Sequence, residues 1–192
     1  MKERPIIFND EMVRAIFSGT KTMTRRPVKG VMPDNGLWLK KPTKTRSGIT
    51  THVMDAPKHG LCPFGSVGDR LFVRETFGDC GVRFVYRADT DDGVSCQVRR
   101  WTPSIHMPRW ASRITLEITD VRVERLHDIT EGDARSEGVT LSNPRILSHR
   151  DEFRQLWGDI YGCDGWRSNP WVWVIAFKHV DTGYAAGTSK GE

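Results

Sequence analysis

The sequence predicts an α+β fold whose strands close into a small β-barrel, with flanking short helices and long loop insertions. Three observations carry this expectation. Short apolar segments with alternating side chains recur along the chain, as half-buried strands require. Two segments place apolar residues at helical spacing instead. Stretches rich in proline and glycine separate these elements, and no internal repeat is present.

In chain order, Pro5 to Phe8 read as a short edge strand. Asn9 and Asp10 offer N-cap oxygens for a helix, with Met12, Val13, Ile16 and Phe17 on its buried face and Gly19 just past its end. Thr22 to Arg26 alternates and is rich in threonine, which favours a strand. Residues 27–66 carry five prolines and no clear period, with short strands expected around 37–39 and 49–53. A turn at Gly68-Asp69 introduces a strand over 71–76. Further strands are expected over 82–86 and 94–99, paired as a hairpin around a polar turn. Ile114, Leu116 and Ile118 alternate, and Val121 and Val123 resume after a shift of one, which predicts a bulge in one long strand. Thr130 and Asp133 form a capping-box pattern for a short helix to Glu137, ended by Gly138. A second helix is expected over 149–161, with Phe153, Leu156, Trp157 and Ile160 on one face, and a last apolar strand over 171–177. Residues 1–180 then make a single domain with insertions near 27–66 and 78–110, and 181–192 a flexible tail.

A chain of 192 residues buries roughly 70% of its unfolded surface, enough for a core without disulfide or metal. No stretch approaches the about 20 apolar residues of a membrane span, and the N-terminal residues lack an apolar signal core, so a cytoplasmic protein is expected. The net charge of +5 favours an anionic partner, nucleic acid first. Cys62, Cys80, Cys96 and Cys163 form no C-x-x-C pair, and free thiols are expected in a reducing compartment. His52, His59 and Cys62 match no standard zinc spacing, so neither metal nor cofactor is expected.

The segment Gly19 to Arg26 is the richest in chemistry. Alternation places Thr22, Thr24 and Arg26 on one face of a strand, with Lys21 in the turn leaning over it. A lysine beside a threonine hydroxyl can act as base and nucleophile if burial lowers the lysine pKa. Spacing alone fits a solvated basic turn better than a catalytic one. Arg74 and Glu75, adjacent on a strand, face opposite sides; a buried Glu75 needs a cationic partner, for which Lys21 and Arg26 are candidates. His106, Arg109 and Trp110 combine a proton donor, a phosphate ligand and a stacking ring, although Trp110 fits the core as well. Trp157, Trp171 and Trp173 fit the core, whereas Trp38, Trp101 and Trp166 lie in irregular segments and suit exposed stacking. The lysines and arginines at 40, 41, 44, 46, 99 and 100 read as solvated charge that adds salt-dependent affinity for phosphates.

Gly19, Lys21 and Arg26 resemble the GxKxxExR signature of the ASCH domain, a small β-barrel of the PUA-like superfamily, with Thr24 in place of the glutamate. The run is similar to the GxKTxTxR motif of the small bacterial N4-acetylcytidine amidohydrolases. This resemblance implies Lys21 as base, Thr24 as nucleophile and Glu137, in the short helix after Ile129-Thr130-Glu131, as the third member. The segments 62–76 and 104–112 resemble a longer ASCH group found in phages and prophages. Together the matches cover most of residues 5–178. They imply a hydrolase acting on an N4-acylated pyrimidine nucleoside, with Arg26, Arg74, Glu75, His106, Arg109 and Trp110 binding substrate. The same cleft also suits a non-catalytic module for RNA or a modified base, or a ribonuclease.

Overall fold

A computed structural model of the chain describes residues 1–31, 36–41, 49–81, 83–92, 98, 100–142 and 147–180. The expected strand at 94–99, save Val98, and the tail at 181–192 lie outside the described residues. The elements run β1 (Glu3–Ile7), α1 (Asp10–Phe17), β2 (Met23–Pro27), β3 (Trp38–Lys41), β4 (Ile49–His52), β5 (Arg70–Arg74), β6 (Phe77–Asp79), β7 (Phe84–Tyr86), β8 (Trp101–Thr102), β9 (Thr115–Arg125), α2 (Glu131–Ser136), α3 (His149–Tyr161), α4 (Cys163–Arg167) and β10 (Trp171–Val180), with short 3-10 turns between them.

Five strands form the main sheet in the order β1-β5-β9-β10-β2, with β1 parallel to β5 and the other pairs antiparallel. The insertions add a β3-β4 hairpin and a small β7-β6-β8 sheet. The α+β class stands, but the expected closed barrel does not. Among the described residues no ladder joins the outer strands β1 and β2. Their gap is spanned by a side chain instead: Arg26 Nη2 donates to the Ile7 carbonyl at 2.7 Å.

Local chemistry explains the elements that position the site. Asn9 caps α1, its Oδ1 accepting from Met12 N at 2.8 Å. Met12, Val13 and Ile16 are buried as expected. Phe17 is not: it is 48% exposed, its ring at the helix end resting on His179 and under the Arg113 guanidinium. The long strand β9 carries the expected bulge. Ile118 pairs with Phe177 and Asp120 with Ala176, which leaves Thr119 as the extra residue. Strand β10 is buried on both faces, which is why it reads as a continuous apolar run. Its Trp173, Ile175 and Phe177 join one core with Phe8 and Val13, and its Val172 and Val174 join a second with Phe153 and Trp157. Trp166, expected in exposed stacking, packs against this second core, and its ring meets His127 at 4.8 Å. Cys80 is disulfide-bonded, against the expectation of free thiols, while Cys62 and Cys163 remain thiols.

The insertion is tied to the sheet by charge. Arg113 donates to Glu75 at 2.9 and 3.0 Å and to Asp89 at 2.6 and 2.8 Å, its guanidinium lying 4.0 Å from the Tyr86 ring centroid. The partner of Glu75 is therefore Arg113, not Lys21 or Arg26. The cause is strand pairing: Val73 N donates to the Ile114 carbonyl at 3.0 Å, which extends the β5-β9 pairing and brings the segment of Glu75 within reach of Arg113. Burial pushes the Glu75 carboxyl above its ordinary range, and Arg113 opposes that push. An Arg113→Met variant leaves a buried carboxylate without its cation and should lose about 3–5 kcal/mol in urea denaturation. Adding Glu75→Gln should restore part of that loss.

Candidate functional site

The site begins where α1 ends. Gly19 takes a φ of +74°, and Lys21 N returns to the Ala15 carbonyl at 2.9 Å. Thr22 N then donates to the Ser136 carbonyl, and Phe177 N to the Thr22 carbonyl, both at 2.9 Å. These bonds pin Lys21 between α1, the end of α2 and β10. Helix α2 is opened by the Thr130–Asp133 capping box and closed by Glu137 as its C-cap. Gly138 follows with a φ of +79°, and a Cβ there would stand 2.7 Å from Lys21 Cβ and 2.9 Å from Ala15 Cβ. Only glycine permits this approach.

Across the contact, Lys21 Nζ donates to the Glu137 carbonyl at 2.7 Å and to its Oε2 at 3.0 Å. Both side chains are buried. The ammonium lies 5.4 Å from the Phe8 ring centroid, and the Arg26 guanidinium is at the same distance from that ring. Burial holds the Lys21 pKa below its ordinary value of 10.5; Glu137 opposes the shift, and the positive charges of Arg26 and Arg25 add to it. Lys21 and Glu137 are thus brought together. Thr24 is buried, in register with Ile175 of β10. No hydrogen bond joins it to Lys21 among the described residues. Thr22 is exposed, lying just before β2.

The residue that sequence reasoning missed is Arg25. It is fully buried, with Nη1 donating to Glu137 Oε1 at 3.3 Å and Nη2 donating to Glu124 at 3.2 Å and to Asp133 at 3.0 Å. Alternation assigned the functional face to its neighbours, and its acidic partners lie about a hundred residues away in sequence. The clue available was the acidic cluster in the capping-box helix itself.

A cleft of about 450 Å³, within the roughly 300–1,000 Å³ of small-ligand pockets, is lined by Arg26 but not by Lys21, Thr24, Arg25 or Glu137. It occupies the gap between the sheet's two outer strands: Pro5 and Ile7 of β1, Met12 of α1, Arg26 of β2, Arg74 of β5 and Phe64 line it, with Ile160 of α3. Two expected binding residues, Arg26 and Arg74, are therefore in the cleft. Glu75 is buried away from it with Arg113. His106 is exposed. Arg109 makes a bidentate pair with Glu3 at 2.7 Å and lies over the Phe72 ring. Trp110 is 71% exposed and meets Phe84 at a tilt of 58° with ring centroids 5.3 Å apart. Arg74 connects this rim to the cleft, its Nη1 donating to the Ile105 carbonyl at 3.3 Å. Among the described residues no three His, Cys, Asp or Glu side chains gather so as to hold a metal, and no helix is long and apolar enough to cross a membrane.

No family model matches the chain, and no curated protein does. Among solved structures it is similar to an ASCH domain from Lactobacillus crispatus, with 13% identity over 93% of this chain and 79% of that one and a TM-score of 0.41. It is also similar to protein EF3133 (DUF984) from Enterococcus faecalis, with 12% identity over 100% of this chain and 85% of that one and a TM-score of 0.44.

The contact at Gly138 gives a direct test of how tightly Lys21 is held. Gly138→Ala combines a strained φ with the clash against Lys21 and should cost about 1–3 kcal/mol in chemical denaturation. Gly19→Ala shares the positive φ but meets nothing within 4 Å, so it should cost less. Equal losses would show that the close approach to Lys21 carries no weight.

Proposed function

We propose that this protein is a hydrolase that removes an acyl group from a modified pyrimidine nucleoside, with N4-acetylcytidine as the model substrate. The observation that carries the reading is the buried Lys21–Glu137 contact, which the Phe8 ring and Arg26 link to an apolar cleft lined by two arginines. Burial favours the neutral amine of Lys21, the form a general base needs. In the proposed reaction Lys21 takes the proton of the Thr24 hydroxyl, and Thr24 Oγ1 attacks the acyl carbonyl carbon. Arg26 or a backbone N–H faces the oxyanion. The C–N4 bond then breaks as the proton held by Lys21, relayed by Glu137, passes to N4. Cytidine leaves, and the acyl group remains as an ester on Thr24. A water molecule, deprotonated by Lys21, attacks that ester, frees the carboxylic acid and restores the threonine.

Glu137 keeps Arg25 as a partner when Lys21 is removed, so Lys21→Ala should still fold. Lys21→Ala and Thr24→Ala should each abolish release of cytidine from N4-acetylcytidine, with unchanged circular dichroism. Loss of a general base alone typically costs about 10²–10⁴-fold. Wild-type turnover in both variants would refute the mechanism.

The pH profile provides an independent check. Protonated Lys21 is inactive and neutral Lys21 active, so kcat/KM should rise with pH through the Lys21 pKa, with a midpoint below 10.5. Lys21→Arg, which stays charged throughout, should remove both the activity and the rise.

A second reading is favoured by the exposed Trp110–Phe84 pair. A non-catalytic module would hold RNA or a modified base in the same cleft and stack a neighbouring base on Trp110. Tight, salt-dependent RNA binding without cytidine release distinguishes it, and cleavage of the RNA itself would identify a ribonuclease.

A further inference from the structure

Several arginines of this molecule pair with carboxylates, and several, Arg4, Arg26, Arg74, Arg125 and Arg150, donate to backbone carbonyls. Arg25, Arg109, Arg113 and Arg122 all pair with carboxylates. Arg26 and Arg74 do not: among the described residues each has only a backbone carbonyl as hydrogen-bond partner, Ile7 at 2.7 Å and Ile105 at 3.3 Å. A carbonyl oxygen orients a guanidinium but does not neutralise it. Both of these arginines line the same cleft, and its lining includes no aspartate or glutamate. Two uncompensated positive charges facing one small, largely apolar space favour an anionic ligand.

Their positions divide the work. Arg26 shares the Phe8 ring with Lys21 and so belongs to the reacting end. Arg74 reaches the cleft from β5, its guanidinium 5.5 Å from the Phe72 ring centroid. Its Nε is buried with no hydrogen-bond partner. Among the described residues only its Nη1 has a hydrogen-bond partner, and two N–H groups of one guanidinium form the fork that a tetrahedral oxyanion takes in bidentate fashion.

We infer that the cleft takes its pyrimidine as a phosphate ester, with Arg74 as the phosphate ligand. This rests on the proposed hydrolase for the identity of the base and its acyl group, but the phosphate requirement rests on the arginines alone. Apolar Ile7, Met12 and Phe64 would cover the base while Arg74 holds the charged end. The phosphate can be the terminal group of a mononucleotide or an internal link of an RNA strand, and the substrates compared below separate these.

Deacylation is measured for N4-acetylcytidine, its 5′-monophosphate, and a short oligoribonucleotide with one N4-acetylcytidine. A charge-assisted bidentate contact should raise kcat/KM for the phosphate-bearing substrates by about tenfold or more over the nucleoside, mainly through KM. Arg74→Gln should bring that ratio close to one, and Arg74→Lys should keep an intermediate ratio. The preference should also weaken in high salt. A strand preferred over the mononucleotide places the phosphate within RNA; equal use assigns it to a terminal phosphate. Nucleoside and nucleotide used alike by the wild type, or a ratio unchanged in Arg74→Gln, would overturn the inference while leaving the hydrolase standing. If no substrate is turned over, the hydrolase reading alone fails, and calorimetry with cytidine and cytidine 5′-monophosphate decides. Phosphate-dependent binding lost in Arg74→Gln sustains the inference, and equal or absent binding overturns it.

Discussion

Glu137 accepts hydrogen bonds from Lys21 at 3.0 Å and from Arg25 at 3.3 Å in a place closed to water. Removing such ions from water costs several kcal/mol each, and well-packed apolar side chains of similar size are often as stable or more so. The cluster is thus a poor device for stability and a good one for position. It dictates much of the surrounding chain. Gly138 must lack a Cβ, α2 must end against Lys21, and Asp133 must serve twice: its Oδ2 accepts from the backbone of Thr130 at 3.4 Å and from Arg25 at 3.0 Å. The same carboxylate that starts the helix therefore holds the arginine that steadies its last residue.

The sheet makes this arrangement possible because β10 separates two cores. Strand β2 lies beside β10 at the sheet edge, with Thr24 opposite Ile175 and Arg25 opposite Val174. Ile175 belongs to the first core and Val174 to the second. One short strand therefore sends Thr24 and Arg26 to one side and Arg25 to the other. Lys21, just ahead of the strand, meets Glu137 at the boundary. The cleft exists for a related reason. Had β1 and β2 paired, their ladder would fill the gap that Arg26 spans with one side chain, and Arg74 would have no opening to face.

What the sequence revealed was mostly local. The Asn9 cap, the turn at Gly19, the bulge at Thr119 and the capping box at Thr130 each depend on residues a few positions apart. The continuous apolar run over 171–177 also marked β10 as a strand. Glu137 was legible only through a family resemblance, since nothing within its own helix points to Lys21. The misreadings were non-local. Glu75 found Arg113 because β5 and β9 pair, a register that no segment of either strand encodes alone. Arg25 was passed over because alternation names a face, and both faces of β2 turned out to be buried. Phe17 fits the helical stripe, yet at the helix end its ring rests on His179 and Arg113 and is half exposed.

Lysine at position 21 has a meaning that arginine there would lack. Arginine holds its charge even when buried, whereas a lysine deprived of water gives up its proton far more readily. The cluster contains one of each around a shared carboxylate. Arg25, fixed by Glu124 and Asp133 as well, keeps Glu137 charge-compensated whether or not Lys21 is protonated. Among the described residues Lys21 has only Glu137 as an acidic partner, and burial together with Arg26 and Arg25 weighs against its charge. The permanent cation thus carries the structural duty and leaves the neighbouring lysine able to titrate. That division of duties is what the proposed proton transfer would use.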